Sequence, residues 1–205
     1  MVDNRRMTRR AALLVLLLVP LAAFAQTAPS GDAVLLVAKP SLPDPRFAGT
    51  VVLITRTPDL QTVGVILNRP LPTRLAQLVA EPSLARNYSG PVFFGGPVMG
   101  RTLVVLFRSG AAPPSPAFRI ANDVYLSMHP GNVERLLHSE GPGFPDRYRI
   151  YAGFSAWAPD QLESEIESDS WYVLPASEAL LFRADSEGMW EELLERARGR
   201  RAALY

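Results

Sequence analysis

The sequence predicts an α+β domain in which single helices lie outside a curved sheet. Short β-branched and aliphatic runs bounded by turn residues are typical of buried strands. Fewer segments have the helical spacing of apolar residues, and they do not alternate regularly with the strands. A doubly wound parallel sheet requires that regular alternation, so the order of elements favours α+β.

Eight runs are predicted as strands, at residues 33–38, 50–55, 63–67, 92–94, 103–107, 124–127, 147–152 and 171–174. A proline-rich segment at residues 40–45 and a turn at residues 57–61 separate the first three. Three prolines at residues 111–116 predict a loop. These breaks keep every predicted strand short.

Four segments are predicted as helices, at residues 74–80, 130–139, 159–168 and 186–198. Pro130 and Pro159 suit the first position of a helix, where a missing N–H costs nothing. His129 is predicted to cap the second helix. Ser186 is a predicted N-cap and Gly199 a predicted terminator of the last helix.

The N-terminal region has the order of a secretory signal. Four arginines within residues 5–10 precede an uncharged apolar run at residues 11–25, which ends Ala23-Phe24-Ala25. A charged, apolar and then small-residue order is typical of a cleaved signal. The run is interrupted by Pro20 and is shorter than the roughly 20 residues that span a bilayer as a helix. We therefore expect cleavage near Ala25, a mature chain without a membrane span, and an exported, periplasmic protein, with the export route open between general secretion and twin-arginine transport.

Charge and composition narrow the function classes. Without the four arginines and one aspartate of residues 1–25, 17 basic and 19 acidic residues remain, a net charge of −2. That balance lacks the basic footprint of a nucleic-acid binder. The chain has no cysteine, which excludes disulfides and thiolate chemistry. Residues 26–32 are predicted as a linker and residues 33–205 as one domain.

Five blocks in order are similar to the signatures of the bacterial YqgE/AlgH family, over about residues 36–193. They are the Pro-x-Leu-x-Asp-Pro-x-Phe segment that ends at Phe47, the Gly-x-x-x-Asn-Arg-Pro segment that begins at Gly64, Gly95-Gly96-Pro97-Val98, the glycine-led strand at Gly153, and Trp157-Ala158-Pro159-Asp160-Gln161. The last two blocks follow the family's Gly-Tyr-Ala-Gly-Trp-x-Pro-Gly-Gln with four substitutions. The resemblance implies a mixed, bifurcated sheet folded into a pseudo-barrel with flanking helices.

The candidate ligand-binding residues come from these blocks. They are Asp44, Asn68, Arg69, Gly95, Gly96, Pro97, Trp157 and Gln161. Arg69 presents a planar fork that can hold a carboxylate or phosphate, and the two glycines indicate close backbone approach or positive φ. In the structural alternative, Asn68 and Arg69 hydrogen-bond neighbouring loops, the glycines form a tight turn, and Trp157 is a core anchor before it is a ligand platform.

The sequence disfavours a hydrolase serine, a metal site and a phosphate-binding loop. Ser155 lies in Gly153-Phe154-Ser155-Ala156-Trp157, which approaches the hydrolase elbow Gly-x-Ser-x-Gly but lacks its second glycine. His129 and His138 are nine residues apart without an acidic cluster, so no metal site is predicted. No Gly-Lys-Ser/Thr follows the glycine pair, and the only lysine is Lys39; the sequence predicts no cofactor.

Three hypotheses for function follow. The first is an exported, non-enzymatic domain that binds a protein or small-molecule partner in a cleft formed by the loops at residues 40–47, 68–70 and 95–98. The second is a hydrolase-like enzyme that uses Asp44 and Arg69 in the same cleft. The third is a transcription-related regulator, which the export signal and the negative charge oppose. An acid/base pair within hydrogen-bond reach would discriminate the second from the first.

Overall fold

The computed structural model describes residues 33–86, 88–139 and 147–202. The predicted signal at residues 1–25 and linker at residues 26–32 lie outside the described residues. Both stay predictions.

One mixed sheet of nine strands dominates the described part of the chain. The strands are β1 (Val34–Ala38), β2 (Val51–Arg56), β3 (Thr62–Ile66), β4 (Val92–Phe94), β5 (Val98–Arg108), β6 (Ala117–Ala121), β7 (Val124–Ser127), β8 (Tyr148–Trp157) and β9 (Trp171–Pro175). Their spatial order is β6-β7-β5-β8-β3-β2-β1-β9, and β4 pairs only with β8. All pairings are antiparallel except that of β4 with β8.

Strand β8 is where the sheet bifurcates. Its first part pairs with β5 on one side and with β4 on the other, whereas its end pairs with β3 through Ser155, Ala156 and Trp157. Gly153 stands at the change of partner with φ +71°. The start of β1 meets the far edge strand, because the Ala33 N–H donates to the Ile120 carbonyl oxygen at 3.2 Å. The sheet therefore curls into a pseudo-barrel, and the predicted α+β class with a bifurcated sheet is confirmed.

Three apolar clusters lie on the two faces of the sheet, and they explain why the strand sequences are nearly continuous apolar runs. Leu35 and Val37 of β1 face the barrel interior, while Leu36 and Ala38 face an outer cluster. A third cluster lies between β5, β8 and the first α-helix. A strand in a half-exposed sheet alternates apolar and polar residues, whereas a strand covered on both faces is apolar throughout. This is why β1 has no polar residue.

The helices lie on the outside of the sheet. They are α1 (Pro130–His138), α2 (Gln161–Glu167), α3 (Glu178–Leu181) and α4 (Met189–Ala202), with two 3-10 helices at Leu75–Gln77 and Pro82–Ala85. Pro130 is the first residue of α1, and the His129 side chain accepts a hydrogen bond from the Gly131 N–H, as predicted. Among the described residues, no helix is long and apolar enough to cross a membrane.

Several boundaries differ from the sequence predictions. The helix predicted at residues 74–80 is instead a single 3-10 turn, which is followed by a second one. A segment this short forms too few hydrogen bonds to offset the entropy cost of starting an α-helix, and Pro82 prevents its continuation. Helix α2 begins at Gln161 instead of Pro159, since Asp160 has the left-handed φ of +62°. Strand β6 and helix α3 have too few patterned residues to be recognised and were not predicted.

The last helix also starts and ends later than predicted. It begins at Met189, directly after Gly188 with φ +66°, so Ser186 is not its N-cap. It continues through Gly199 to Ala202. The buried side chains of Leu193, Leu194 and Ala197 pack into the barrel cluster, and this packing outweighs the modest helix penalty of one glycine.

Candidate functional site

Three glycines let one backbone cross another at the bifurcation. A Cβ on Gly95 would lie 2.1 Å from the Gly153 carbonyl oxygen, and a Cβ on Gly96 would lie 2.4 Å from the Phe154 carbonyl carbon. A Cβ on Gly153 would lie 2.6 Å from the Gly96 carbonyl oxygen. Side chains are never found this close to backbone, so the predicted close approach at the glycine pair is confirmed, and Gly96 also has a positive φ of +151°.

An irregular segment of β5 follows the crossing directly in the chain. Between Val98, opposite Phe154, and Leu103, opposite Ala152, β5 advances five residues while β8 advances two. The extra residues bulge away from the sheet, with Met99 at φ +47° and 63% exposed. A bulge of this kind re-aims the side chains that follow it. Here it carries Arg101 and Thr102 to the wall of a groove.

Asn68 and Arg69 fasten the loop between β1 and β2. The Asn68 side chain accepts from the Val51 N–H and donates to the Gly49 carbonyl oxygen, both at 2.9 Å. Arg69 donates to the carbonyl oxygens of Arg46 at 2.5 Å and Ala48 at 3.0 Å. These contacts are those of the structural alternative, in which both residues hold a neighbouring loop.

The Asn-Arg-Pro turn and the Gly-Gly-Pro turn lie side by side. The Phe94 N–H donates to the Arg69 carbonyl oxygen at 2.7 Å, and the Ile66 N–H donates to the Gly95 carbonyl oxygen at 3.0 Å. The Arg69 guanidinium lies 5.9 Å from the centre of the Phe94 ring. Partial burial lowers the pKa of the Arg69 guanidinium from its ordinary value.

Asp44 is paired within its own loop. Its carboxylate accepts two side-chain donors of Arg46, at 2.7 Å from Nη2 and 3.0 Å from Nε, and one from the Arg46 backbone N–H at 2.9 Å. The side-chain hydrogen bond from Arg46 holds the pKa of Asp44 below its ordinary value. Asp44 is thus ionised and engaged with Arg46, and the Arg69 donors go to backbone carbonyls. These two residues do not form the acid/base pair that the hydrolase hypothesis requires.

Trp157 belongs to an aromatic cluster on the outer face of the sheet. It is 4% exposed, and the Phe47 ring stacks on it with centroids 5.9 Å apart. Trp171 meets the same Phe47 ring at 5.8 Å in an edge-on arrangement. Both indoles donate to one carboxylate oxygen of Glu165, at 3.1 Å from Trp157 and 2.8 Å from Trp171. Trp157 is therefore a core anchor.

Gln161 stabilises the start of α2. Its side chain accepts from the Ala158 N–H at 3.1 Å and donates to Glu165 at 2.9 Å. Asn68, Arg69 and Trp157 contact a different segment, residues 39–50 between β1 and β2, which contains Asp44 and which we call the Phe47 loop. Asn68 and Arg69 hold this loop by hydrogen bonds, and its Phe47 ring packs on Trp157 and Trp171.

The residues that the sequence disfavoured for chemistry have structural partners. The Ser155 hydroxyl is fully buried and donates to the Gly95 carbonyl oxygen at 3.1 Å. His138 Nδ1 lies 2.7 Å from the Glu134 carbonyl oxygen. Among the described residues, no group of three or more His, Asp or Glu side chains is arranged to hold a metal ion.

Sequence reasoning missed Arg149, which lies in the barrel core. It is fully buried, donates to the carbonyl oxygens of Leu67 at 2.9 Å and Leu181 at 3.1 Å, and lies 4.1 Å from the Phe93 ring centre. It ties the end of β3 to the end of α3, where the helix dipole favours a cation. A lone arginine inside an apolar strand was the signal that could have identified it.

A groove of about 670 Å³ opens between the two 3-10 helices, α1 and the β5 bulge. Its floor is aliphatic and includes Leu78, Leu84, Leu103, Val133 and Leu137. A volume of this size and a mostly apolar lining are typical of small-molecule sites. None of the eight candidate residues lines this groove. The sequence feature that relates to it is the pair Gly95-Gly96, because the backbone crossing at these glycines positions the β5 bulge that forms one wall of the groove.

Four charged or titratable side chains stand around this groove: Glu81, Arg101, Glu134 and His138. Within the described part of the chain, the side chains of Glu81, Arg101 and Glu134 have no hydrogen-bond or ion-pair partner. A second cavity, of about 600 Å³, lies where β9 approaches the start of β1. There Glu178 is already engaged by Arg108 at 2.5 Å.

The fold and the crossing define an α+β domain with a bifurcated, curled sheet whose glycine motifs are architectural. The AlgH-like family, DUF179, matches residues 35–202, so the chain belongs to this family. The resemblance found in the sequence is confirmed.

Uncharacterised relatives share most of the chain. It is 34% identical over 181 residues to the UPF0301 protein A2cp1_4106 of Anaeromyxobacter dehalogenans, covering 83% of this chain and 90% of that one. It is 33% identical over 170 residues to the UPF0301 protein SCO2948 of Streptomyces coelicolor, covering 80% and 86%.

Two solved structures have the same fold. The solution structure of the AlgH protein from Pseudomonas aeruginosa has a TM-score of 0.64 at 25% identity, and covers 85% of this chain and 91% of that one. The crystal structure of protein DIP2367 from Corynebacterium diphtheriae has a TM-score of 0.62 at 24% identity, covering 81% and 86%.

Proposed function

We propose that this AlgH-like protein is an exported, non-enzymatic domain that binds a small ligand with an apolar body in the groove between α1 and the 3-10 helices. One observation carries the proposal: the groove is open, apolar and rimmed by side chains without partners, whereas the polar candidate residues hydrogen-bond within their own chain. Binding groups must be available to a ligand, and loops and bulges on a rigid scaffold are where they concentrate.

In this proposal the candidate residues support the site from outside it. Gly95, Gly96 and Pro97 turn the chain into the β5 bulge. The Phe47 loop, which contains Asp44 and is pinned by Asn68 and Arg69, closes the outer aromatic cluster over Trp157. A hydrolase role for Asp44 and Arg69 lacks support, because each is committed to a different partner. A DNA-directed role also lacks support, because the chain without residues 1–25 has a net charge of −2, whereas DNA-binding domains are basic.

The groove is tested with a neutral fluorescent probe that carries an alkyl chain, such as laurdan, titrated into the folded protein. Thr102→Trp places a large ring on the groove wall and is expected to reduce probe binding at least tenfold. The matched control is Arg119→Trp, an exposed position on β6 that does not line the groove. Equal binding by wild type, Thr102→Trp and Arg119→Trp would place the probe elsewhere and contradict the proposal.

Export is tested separately by fractionating cells that express the full chain and sequencing the N-terminus of the recovered protein. We expect a mature chain that begins at or near Gln26 in the fraction outside the cytoplasm, because the apolar run is short and ends in Ala-x-Ala. Intact Met1 on protein that stays with the membrane would contradict cleavage.

A further inference from the structure

We infer that the ligand of this groove is an amphiphile with an aliphatic chain and a zwitterionic head group; the inference rests on the proposed binding function and specifies its ligand. Two features of the groove lead to it. One is the chemistry of the floor, and the other is the arrangement of charges around the rim.

The floor suits a flexible aliphatic chain more than a flat ring. Its apolar side chains are leucines, valines, an alanine, a proline and Met128, and none of the described residues that line the groove is Phe, Tyr or Trp. Aromatic ligands are commonly held by aromatic side chains through stacking. Branched aliphatic side chains together with an adaptable methionine instead conform to an alkyl chain.

The rim carries both signs of charge on three different elements. Arg101 stands on the β5 bulge, Glu81 immediately before the second 3-10 helix, and Glu134 on α1. Each side chain lacks a partner within the described part of the chain. A purely anionic head would be attracted by Arg101 and repelled by the two carboxylates, and a purely cationic head would meet the reverse. A head with an anionic and a cationic group can satisfy both.

The signs of the rim charges assign the roles within that head. Arg101 can hold a phosphate or carboxylate with its planar donor fork. Glu81 and Glu134 can hold an ammonium. Such exposed pairs are individually weak, so the apolar chain supplies most of the affinity and the rim supplies the preference among heads.

The experiment compares four ten-carbon amphiphiles by calorimetry below their critical micelle concentrations. The heads are phosphocholine, phosphate, trimethylammonium and maltoside, so the alkyl chain is constant and only the head group varies. Wild type is expected to bind the phosphocholine at least fivefold more tightly than each of the other three. Arg101→Ala is expected to lose the preference over the trimethylammonium, and the double variant Glu81→Gln/Glu134→Gln the preference over the phosphate.

Arg119→Gln, which removes an exposed arginine of β6 outside the groove, is the matched control and is expected to behave as wild type. Equal binding of the maltoside and the phosphocholine would overturn the inference about the head while the proposed apolar groove stands. Tightest binding of the phosphate or of the trimethylammonium head, each of which carries charge of one sign only, would overturn it in the same way. Binding of none of the four would overturn both.

Discussion

Gly95 and Gly153 are in direct backbone contact although nearly sixty residues separate them in the chain. A Cβ on Gly95 would lie 2.1 Å from the carbonyl oxygen of Gly153, and the neighbouring Gly95 N–H donates to the Ala152 carbonyl oxygen at 2.9 Å. The contact joins the end of β4 to the point where β8 changes partners. It therefore decides where the sheet divides and where the β5 bulge begins.

Gly95→Ala is expected to destabilise the fold by about 3 kcal/mol, because the clash is with backbone that cannot move without breaking the pairing of β4 with β8. The free energy of unfolding in urea measures the loss. Gly110→Ala is the control, since a Cβ there meets nothing within 4 Å, and it should change the free energy by less than about 0.5 kcal/mol. Equal stability of the two variants would show that β4 can shift away from β8.

Arg69→Ala is expected to loosen the Phe47 loop while the barrel stays folded. The substitution removes the donors to the Arg46 and Ala48 carbonyl oxygens, and two hydrogen bonds of this kind contribute about 1–3 kcal/mol together. Hydrogen exchange should accelerate at the Thr50 N–H, which bonds to Phe47, and stay unchanged in β8. Arg46→Ala is the control because it leaves the acceptor carbonyl in place. Unchanged exchange in Arg69→Ala would show that Asn68 and the packing of Phe47 on the two tryptophans hold the loop without Arg69.

Trp157→Ala is expected to cost about 3–5 kcal/mol of stability, because the ring is buried against Phe47 and Trp171. Trp157→Phe keeps an aromatic ring and removes the N–H that donates to Glu165, so about 1 kcal/mol is expected. Urea unfolding measures both. A Trp157→Ala protein with an unchanged midpoint would contradict the core role.

Asp160→Gly is expected to stabilise the protein by about 0.5–1 kcal/mol. Asp160 has φ +62° and its side chain makes no capping hydrogen bond, and glycine adopts this conformation without the Cβ penalty. The family pattern quoted above has glycine at this position. Thermal or urea unfolding measures the gain.

Asp169→Gly provides the contrasting case for that prediction. Asp169 has a similar φ of +60°, but its carboxylate pairs with the buried ammonium of Lys39. Leaving a buried charge without its partner is costly, so this variant should be destabilised. If Asp160→Gly were destabilised like Asp169→Gly, backbone conformation would not be the deciding factor at position 160.

Stability is expected to fall as the pH rises above about 10. Burial raises the pKa of Tyr88, Tyr148 and Tyr151, whereas an unfolded tyrosine ionises near 10. The folded state then keeps protons that the unfolded state releases, so this stability is complete below about pH 10 and is lost as the pH increases through and beyond it. Tyrosinate absorbance and far-ultraviolet circular dichroism, followed together, measure it.

Ionisation of these three tyrosines should coincide with unfolding. Tyr88→Phe removes one of them, together with its hydrogen bond to the Pro91 carbonyl oxygen, and should make the alkaline decline less steep. Full tyrosinate absorbance in a protein that keeps its native dichroism would contradict the prediction.

Local patterns determined most of the secondary structure and the family. The apolar runs gave the positions of eight strands, and Pro130 with His129 gave the start of α1. They were sufficient there because the strand period, the cap and the turn residues act over a few neighbouring positions. Strand β6 and helix α3 were missed because each is short and depends on packing more than on its own pattern.

The location of the candidate site was decided by the tertiary structure. Nothing near Arg69 in the sequence shows that its guanidinium is used by two carbonyl oxygens more than twenty residues earlier, and nothing near Arg101 shows that it lacks a partner. The sequence by itself determined the α+β class, the motifs and the residues that must be glycine. Only the folded chain decided which polar groups are consumed by internal hydrogen bonds, since those bonds form between segments that are distant along the chain and meet when the sheet closes.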